Sequence, residues 1–236
     1  MWRGASCVEE VSMSIGEGRP DVQARTYDEL FQFAQPLDEV RRDHEYVLPF
    51  FKGARSVLDV GCGRGVFLQM LQQAGIHPVG VDLFAGSVEH CRGLGFTDVH
   101  QDDALTFLQQ HPAAFDGVVC SHIIEHVPYP DAIAIVRAAY SALTPGGHFA
   151  IVTPNPRDLY VIGELFWLDP THVRPYPLPQ LEAMLRSVGF EITHMSRPLI
   201  RASQRSRMRR VMFKLLPGGM FGRPNTYIVG QKPKTA

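Results

Sequence analysis

VLDVGCGRG, Val57 to Gly65, is a β-branched apolar run that ends on three glycines and passes directly into Val66-Phe67-Leu68. A short, nearly continuous apolar run of this kind suits a strand buried on both faces, so Ser56 to Cys62 reads as a parallel strand. Val66 to Ala74 follows with Phe67, Leu68, Leu71 and Ala74 at helical spacing, and Gly75 closes it. Glycines between a strand and a helix permit a tight turn, and they let a ligand approach backbone N–H groups that the first helical turn leaves unpaired.

The same alternation continues outward. Pro78 to Leu83, Thr97 to Gln101, Phe115 to Ser121 and His148 to Thr153 read as further strands, with helices over Ser87 to Leu94 and Ala132 to Leu143. Pro145-Gly146-Gly147 marks a turn before the fifth strand. Gln180 to Val188 reads as a helix ended by Gly189, Phe190 to Met195 as a sixth strand and Thr226 to Gly230 as a seventh. Strands separated by helices indicate βαβ units and a doubly wound α/β sheet in one domain. The domain is expected over 54–236, preceded by a disordered 1–22 and a helical lid segment over 23–53, where Leu30, Phe31, Phe33, Leu37 and Val40 recur at helical spacing.

Composition narrows the function classes. The 236 residues, 45% of them hydrophobic, suffice for one large core. A formal net charge of −1 argues against general polyanion binding. From Ile192 to the last residue, however, there are ten Lys or Arg and no Asp or Glu. Within that stretch Arg201, Arg205, Arg207, Arg209, Arg210 and Lys214 surround Met208, Val211, Phe213 and Leu215, a basic helix with an apolar side inserted over 198–224. It suits an anionic partner, a membrane surface, an oligomer contact or simple packing on the domain. Cys7, Cys62, Cys91 and Cys120 form no CxxC pair, which fits a reducing, cytoplasmic compartment. No apolar run approaches the roughly 20 residues of a membrane span.

The glycine turn gains meaning from the ends of the next two strands. Asp82 ends the second strand, where a carboxylate can accept hydrogen bonds from both hydroxyls of a ribose. Gln101-Asp102-Asp103-Ala104 after the third strand can set a carboxylate against an adenine amino group. The dinucleotide fingerprint G-x-G-x-x-G requires a small residue at position 66, where Val66 stands. The order VLDVGCGRG, GVDL, QDDA, FDGVVCSHIIEHV and LTPGGHFAIVTPN resembles the class I S-adenosylmethionine-dependent methyltransferases over about residues 55 to 155. That resemblance implies a seven-stranded Rossmann-like sheet. It implies a cofactor held by Asp59, Gly61, Gly63, Asp82, Leu83, Asp102, Asp103, Ala104 and Ser121, with Cys62 only a small loop residue.

The reaction class rests on the segment after the fourth strand. The D/N-P-P-Y/F turn typical of nucleic-acid base amine methylation is absent; Ser121-His122-Ile123-Ile124-Glu125-His126 stands there instead, and nucleic acid is not the expected partner. A hydroxyl acceptor must lose its proton as it attacks the methyl sulfonium, which requires a base or a metal ion. His122 and Asp169 are the candidate catalytic residues, and Glu125, His126 and His172 the candidate ligands for Mg²⁺ or another divalent ion. The segment is similar to the E-x-x-E-H metal site of small-RNA 2′-O-methyltransferases and ubiquinone-biosynthesis O-methyltransferases. Its first position is His122 in place of Glu, and imidazole favours softer ions than Mg²⁺. Residues 156–178, with FWLDPTHVRPYPLPQLEAMLRSVGFE at Phe166 to Glu191, look like bacterial O-antigen and related glycan methyltransferases. That likeness implies an insertion facing the acceptor. The expected activity is therefore methyl transfer to a saccharide or glycan hydroxyl; the alternatives are a phenolic or quinone-type small molecule and an inactive cofactor-binding partner subunit.

Overall fold

A computed structural model describes residues 37–196 and 224–234. The described residues begin with helix α1 (Leu37–Val47) and a 3₁₀ turn (Leu48–Phe51). It then alternates β1 (Ser56–Val60), α2 (Val66–Gln73), β2 (His77–Asp82), α3 (Ala85–Gly93), β3 (Val99–Gln101), α4 (Ala104–Gln110) and β4 (Phe115–Ser121). A 3₁₀ turn (Ile124–His126), α5 (Tyr129–Ala142), β5 (Leu143–Pro154), short helical turns over 161–168, α6 (Leu178–Val188), β6 (Glu191–Ser196) and β7 (Asn225–Gln231) complete it. The expected N-terminal tail and the basic segment 201–214 lie outside the described residues.

The seven strands form one sheet in the order β3-β2-β1-β4-β5-β7-β6. Strands β1 to β5 pair in parallel, and β7 runs antiparallel between β5 and β6. The order reverses direction between β1 and β4, so the carboxyl ends of these two strands flank the crevice where α/β sheets bind ligands. The two-residue period of the strands divides the core. Leu58, Val60, Val118, Cys120 and Ile151 face α4, α5 and α6, while Val57, Val119, Ala150, Val152 and Val229 face α1 and α2. Gly117 on β4 is what admits Phe51: a Cβ there would lie 2.6 Å from Phe51 Cε1 and 3.0 Å from Val57 Cγ2.

Two local expectations change. Helix α4 is additional to the elements read from the pattern, and Asp103 caps it, accepting from Thr106 N at 3.0 Å. Pro145-Gly146-Gly147 does not separate helix from strand. Strand β5 begins at Leu143 and carries these residues as an irregularity between the pairs Phe115↔Leu143 and Gly117↔His148. Thr144 Oγ1 donates to Asp116 Oδ1 and Gln231 Nε2 to the Gly146 carbonyl, so the bulge keeps its polar groups satisfied. No helix among the described residues is long and apolar enough to cross a membrane.

Candidate active site

The glycine turn is built on β2. Gly61 N and Cys62 N both donate to the Val81 carbonyl, at 2.8 and 3.1 Å, and Gly65 N closes the turn on Cys62 O at 2.8 Å. Gly61, Gly63 and Gly65 take φ of +71°, +48° and +71°, left-handed values that a side chain disfavours. Asp82 fastens the turn from below: its Oδ2 accepts from Gly63 N at 2.8 Å and its Oδ1 from Phe84 N at 3.0 Å. On α3, Cys91 Sγ donates to the Gly63 carbonyl at 3.3 Å. Asp59 is buried beneath the turn, and that burial, reinforced by Cys91 and Asp82, pushes its carboxyl well above the usual range.

Around the turn, Leu83 is 63% exposed at the end of β2, Ser121 and Ala104 are half-buried, and Asp102 receives Asp103 N at 2.8 Å. The expected cofactor residues thus gather at the carboxyl ends of β1 to β4. Asp103 Oδ1 caps α4, accepting from Thr106 N at 3.0 Å and from Thr106 Oγ1 at 3.3 Å. Cys62, Cys91 and Cys120 are free and buried, and burial pushes the Cys120 thiol up, so it is unsuited to act as a nucleophile.

The segment after β4 packs directly on this turn: a Cβ at Gly61 would collide with the Ile123 side chain, 2.8 Å from its Cγ1. His122 adopts φ +55°, a left-handed conformation uncommon outside glycine, and donates its backbone N–H to Val152 O at 2.9 Å. This bend brings His122 Nδ1 to 3.1 Å from Glu125 Oε1, while its Nε2 lies 3.6 Å from Asp43 Oδ2 on α1. Burial opposes charge on His122, but the two carboxylates outweigh it and raise its pKa to about 10. In the role expected of it as a base, His122 has its two ring nitrogens facing the Glu125 and Asp43 carboxylates.

Glu125 is fully buried, with Thr153 Oγ1 donating to its Oε2 at 3.0 Å. Burial would push its carboxyl up, yet the hydrogen bond and charge of His122 hold it below the usual range. The Glu125 backbone carbonyl accepts from Val173 N at 2.8 Å and Arg174 N at 3.2 Å, which fastens the Asp169-Pro170-Thr171-His172 segment against the site. Asp169 makes the turn of that segment, its Oδ1 accepting from Thr171 N and Oγ1 at 2.8 and 2.6 Å. In the role expected of it as a catalytic residue, Asp169 has only Oδ2 left, 3.9 Å from His172 Nε2.

Glu125, His126 and His172 each offer one ligand atom, all within 4.8 Å of one another. The donor set fits a divalent ion. His172 Nδ1–H donates to the Phe166 carbonyl at 2.6 Å, which leaves Nε2 with its lone pair, the arrangement usual for a ligating histidine. His126 Nδ1 lies 2.8 Å from Thr171 Oγ1, and burial, with His172 beside it, holds the imidazole below its ordinary pKa and so neutral. Two imidazoles with one carboxylate suit Mn²⁺, Fe²⁺, Co²⁺ or Zn²⁺ better than Mg²⁺. Leu159, Tyr160, Leu165, Trp167, Leu168 and Val173, on the segment that carries His172, are all large, apolar and exposed.

A family model described as a methyltransferase domain matches residues 30–195. The chain belongs to that family. A solved S-adenosylmethionine-dependent methyltransferase from Archaeoglobus fulgidus is 29% identical, covering 90% of this chain and 100% of its own, with a TM-score of 0.72. Ubiquinone biosynthesis O-methyltransferases from Idiomarina loihiensis and Xylella fastidiosa are 39% identical over 106 residues and 36% over 124. These matches cover 43% and 50% of this chain and 43% and 49% of the relatives, so the chain spans about half the length of the curated relatives it matches. The same fold, at 20% identity and a TM-score of 0.62 over 84% of this chain and 82% of the other, occurs in the [4+2]-cyclase SpnF. Residues that the sequence pattern leaves unremarked complete the site: Asp43, His44 and Asn225, from elements far apart in the chain.

Proposed function

We propose that this chain transfers the methyl group of S-adenosylmethionine to a phenolic or quinol-type hydroxyl of an apolar small molecule. The observation that carries the acceptor class is the set of exposed apolar side chains, Leu159, Tyr160, Leu165, Trp167, Leu168 and Val173, on the segment that brings His172 to Glu125 and His126. An aromatic ring with an alkyl tail has more apolar area to bury on such side chains than a hydroxyl-rich sugar, at roughly 25 cal/mol per Å². The partial matches to ubiquinone-biosynthesis O-methyltransferases favour the same class over the saccharide expected from the segment 156–178.

The glycine turn and Asp82 hold the cofactor, and Leu83 covers its flat end. The acceptor hydroxyl then approaches the sulfonium carbon in line, and orientation supplies most of the rate. A phenol has a pKa near that of tyrosine, about 10, so its proton is far easier to remove than that of a sugar. A divalent ion, when held by Glu125, His126 and His172, lowers the pKa of a bound hydroxyl further. Neutral His126 supports a second reading, in which this imidazole takes the proton without an ion. Methyl transfer to alkyl-substituted catechols and to mono- and oligosaccharides, each with chelator and with Mn²⁺ restored, tests both. Turnover on sugars alone would overturn the acceptor class, and turnover untouched by chelation would select the His126 reading.

A further inference from the structure

We propose that Asp43, carried by the helix ahead of the sheet, is a positioning residue that acts through His122 to orient the Glu125 carboxylate for a divalent ion. The inference rests on the ion-assisted reading of the proposed function. A row of polar side chains joins α1, β7 and the segment after β4: Asn225 Nδ2 donates to Asp43 Oδ2 at 2.6 Å, and Asp43 Oδ2 lies 3.6 Å from His122 Nε2. His122 Nδ1 is 3.1 Å from Glu125 Oε1, and Thr153 Oγ1 reaches Glu125 Oε2 at 3.0 Å.

Both nitrogens of His122 face carboxylate oxygens, Glu125 Oε1 at 3.1 Å and Asp43 Oδ2 at 3.6 Å, so the ring is held between these two groups and stands outside the ligand set. The residue at the first place of the H-x-x-E-H segment has left the ligand set and become the support of the next member. The two supports, His122 and Thr153, take one oxygen each, which fixes the plane of a carboxylate that has no solvent contact. The left-handed backbone at His122 gives this contact a structural cost, as a ring held at φ +55° persists only where its partners over-determine it. Asp43 is the counter-charge that holds the far nitrogen, and Asn225 on β7 holds Asp43. Outer partners of this kind change metal affinity by about 10- to 100-fold when removed.

The test compares the full chain with its Asp43→Asn, Asp43→Glu and Glu125→Gln variants by titration calorimetry with Mn²⁺ and, separately, with S-adenosylmethionine. The expected result, at a temperature where every variant is fully folded, is an Asp43→Asn chain whose Mn²⁺ affinity falls about 10- to 100-fold, with cofactor affinity preserved. Asp43→Glu, which keeps a carboxylate facing His122, should recover part of the loss. Full Mn²⁺ affinity in Asp43→Asn, alongside its loss in Glu125→Gln, overturns this inference alone. A parallel fall in cofactor affinity overturns it too, by assigning Asp43 to the general scaffold. A parent chain that binds no Mn²⁺ overturns the ion-assisted reading and this inference with it.

Discussion

His44 on α1 is the sharpest test of the electrostatics around His122. Its ring is 6% exposed and stacks on Phe67 with centroids 4.7 Å apart, and neither nitrogen has a hydrogen-bond partner. Burial, reinforced by the charge on nearby His122 and only partly offset by Asp43, lowers its pKa from 6.5 to about 4. For a histidine whose folded pKa lies below its unfolded value, the unfolded chain takes up the proton first, so stability falls as pH drops below 6.5. One pKa unit is about 1.4 kcal/mol, and integrating the proton uptake from about pH 7.5 to about pH 5 gives a loss on the order of 2 kcal/mol from this one residue. His44→Phe keeps the stacking and removes both the titration and the unpaired polar atoms. Urea unfolding of parent and variant at the two pH values isolates the difference: the variant should lose about 2 kcal/mol less than the parent. Equal losses would refute the reasoning, because they would mean that His44 is protonated in the fold or exchanges with solvent there.

The opposite sign holds for His122, whose folded pKa lies above its unfolded value. Its contribution is complete below 6.5 and is lost as pH rises toward 10, on the order of 2 kcal/mol between about pH 7 and pH 9; the same unfolding experiment on His122→Gln should show a flatter alkaline limb. Gly117→Ala tests the packing of α1 and its following turn on the sheet. The added methyl meets Phe51 at 2.6 Å and Val57 at 3.0 Å, and overpacking of this kind costs about 1–3 kcal/mol, read as a lower urea midpoint with an unchanged slope.

The parallel core is legible in the chain because each strand is a short β-branched run punctuated by glycine, and burial on both sheet faces leaves no other place for Val57 to Val60 or Val118 to Cys120. The ends of elements are less legible where one residue type serves two purposes. Asp103 suits both a helix cap and a nucleoside contact, and reading it as the second hides α4. Pro145-Gly146-Gly147 has the composition of a turn, yet the pairing of Leu143 with Phe115 on β4 and backbone hydrogen bonds of 146 and 147 with Lys232 draw it into a bulge, a tertiary effect with no local signature. The triad of Glu125, His126 and His172 is partly legible, since Glu125 and His126 are adjacent; its closure depends on two hydrogen bonds from 173 and 174 to the Glu125 carbonyl. Asp43 and Asn225 are separated by 182 positions, and only the insertion of β7 beside β5 brings them together.

The identity of residue 122 changes what the site asks of an ion. His122→Glu would place three carboxylates, from residues 43, 122 and 125, around one buried point, and like charges at hydrogen-bond distance cannot all stay ionised without a cation among them. With histidine there, the positive charge is supplied by the chain: the imidazolium lies between Asp43 and Glu125, and the cluster carries one net negative charge, where three carboxylates would carry three. An ion at Glu125, His126 and His172 therefore neutralises less repulsion, so folding should depend little on it, and its affinity must come from ligand geometry. That shifts the emphasis from charge to orientation, and orientation of Glu125 is what the chain from Asn225 through Asp43 and His122 controls.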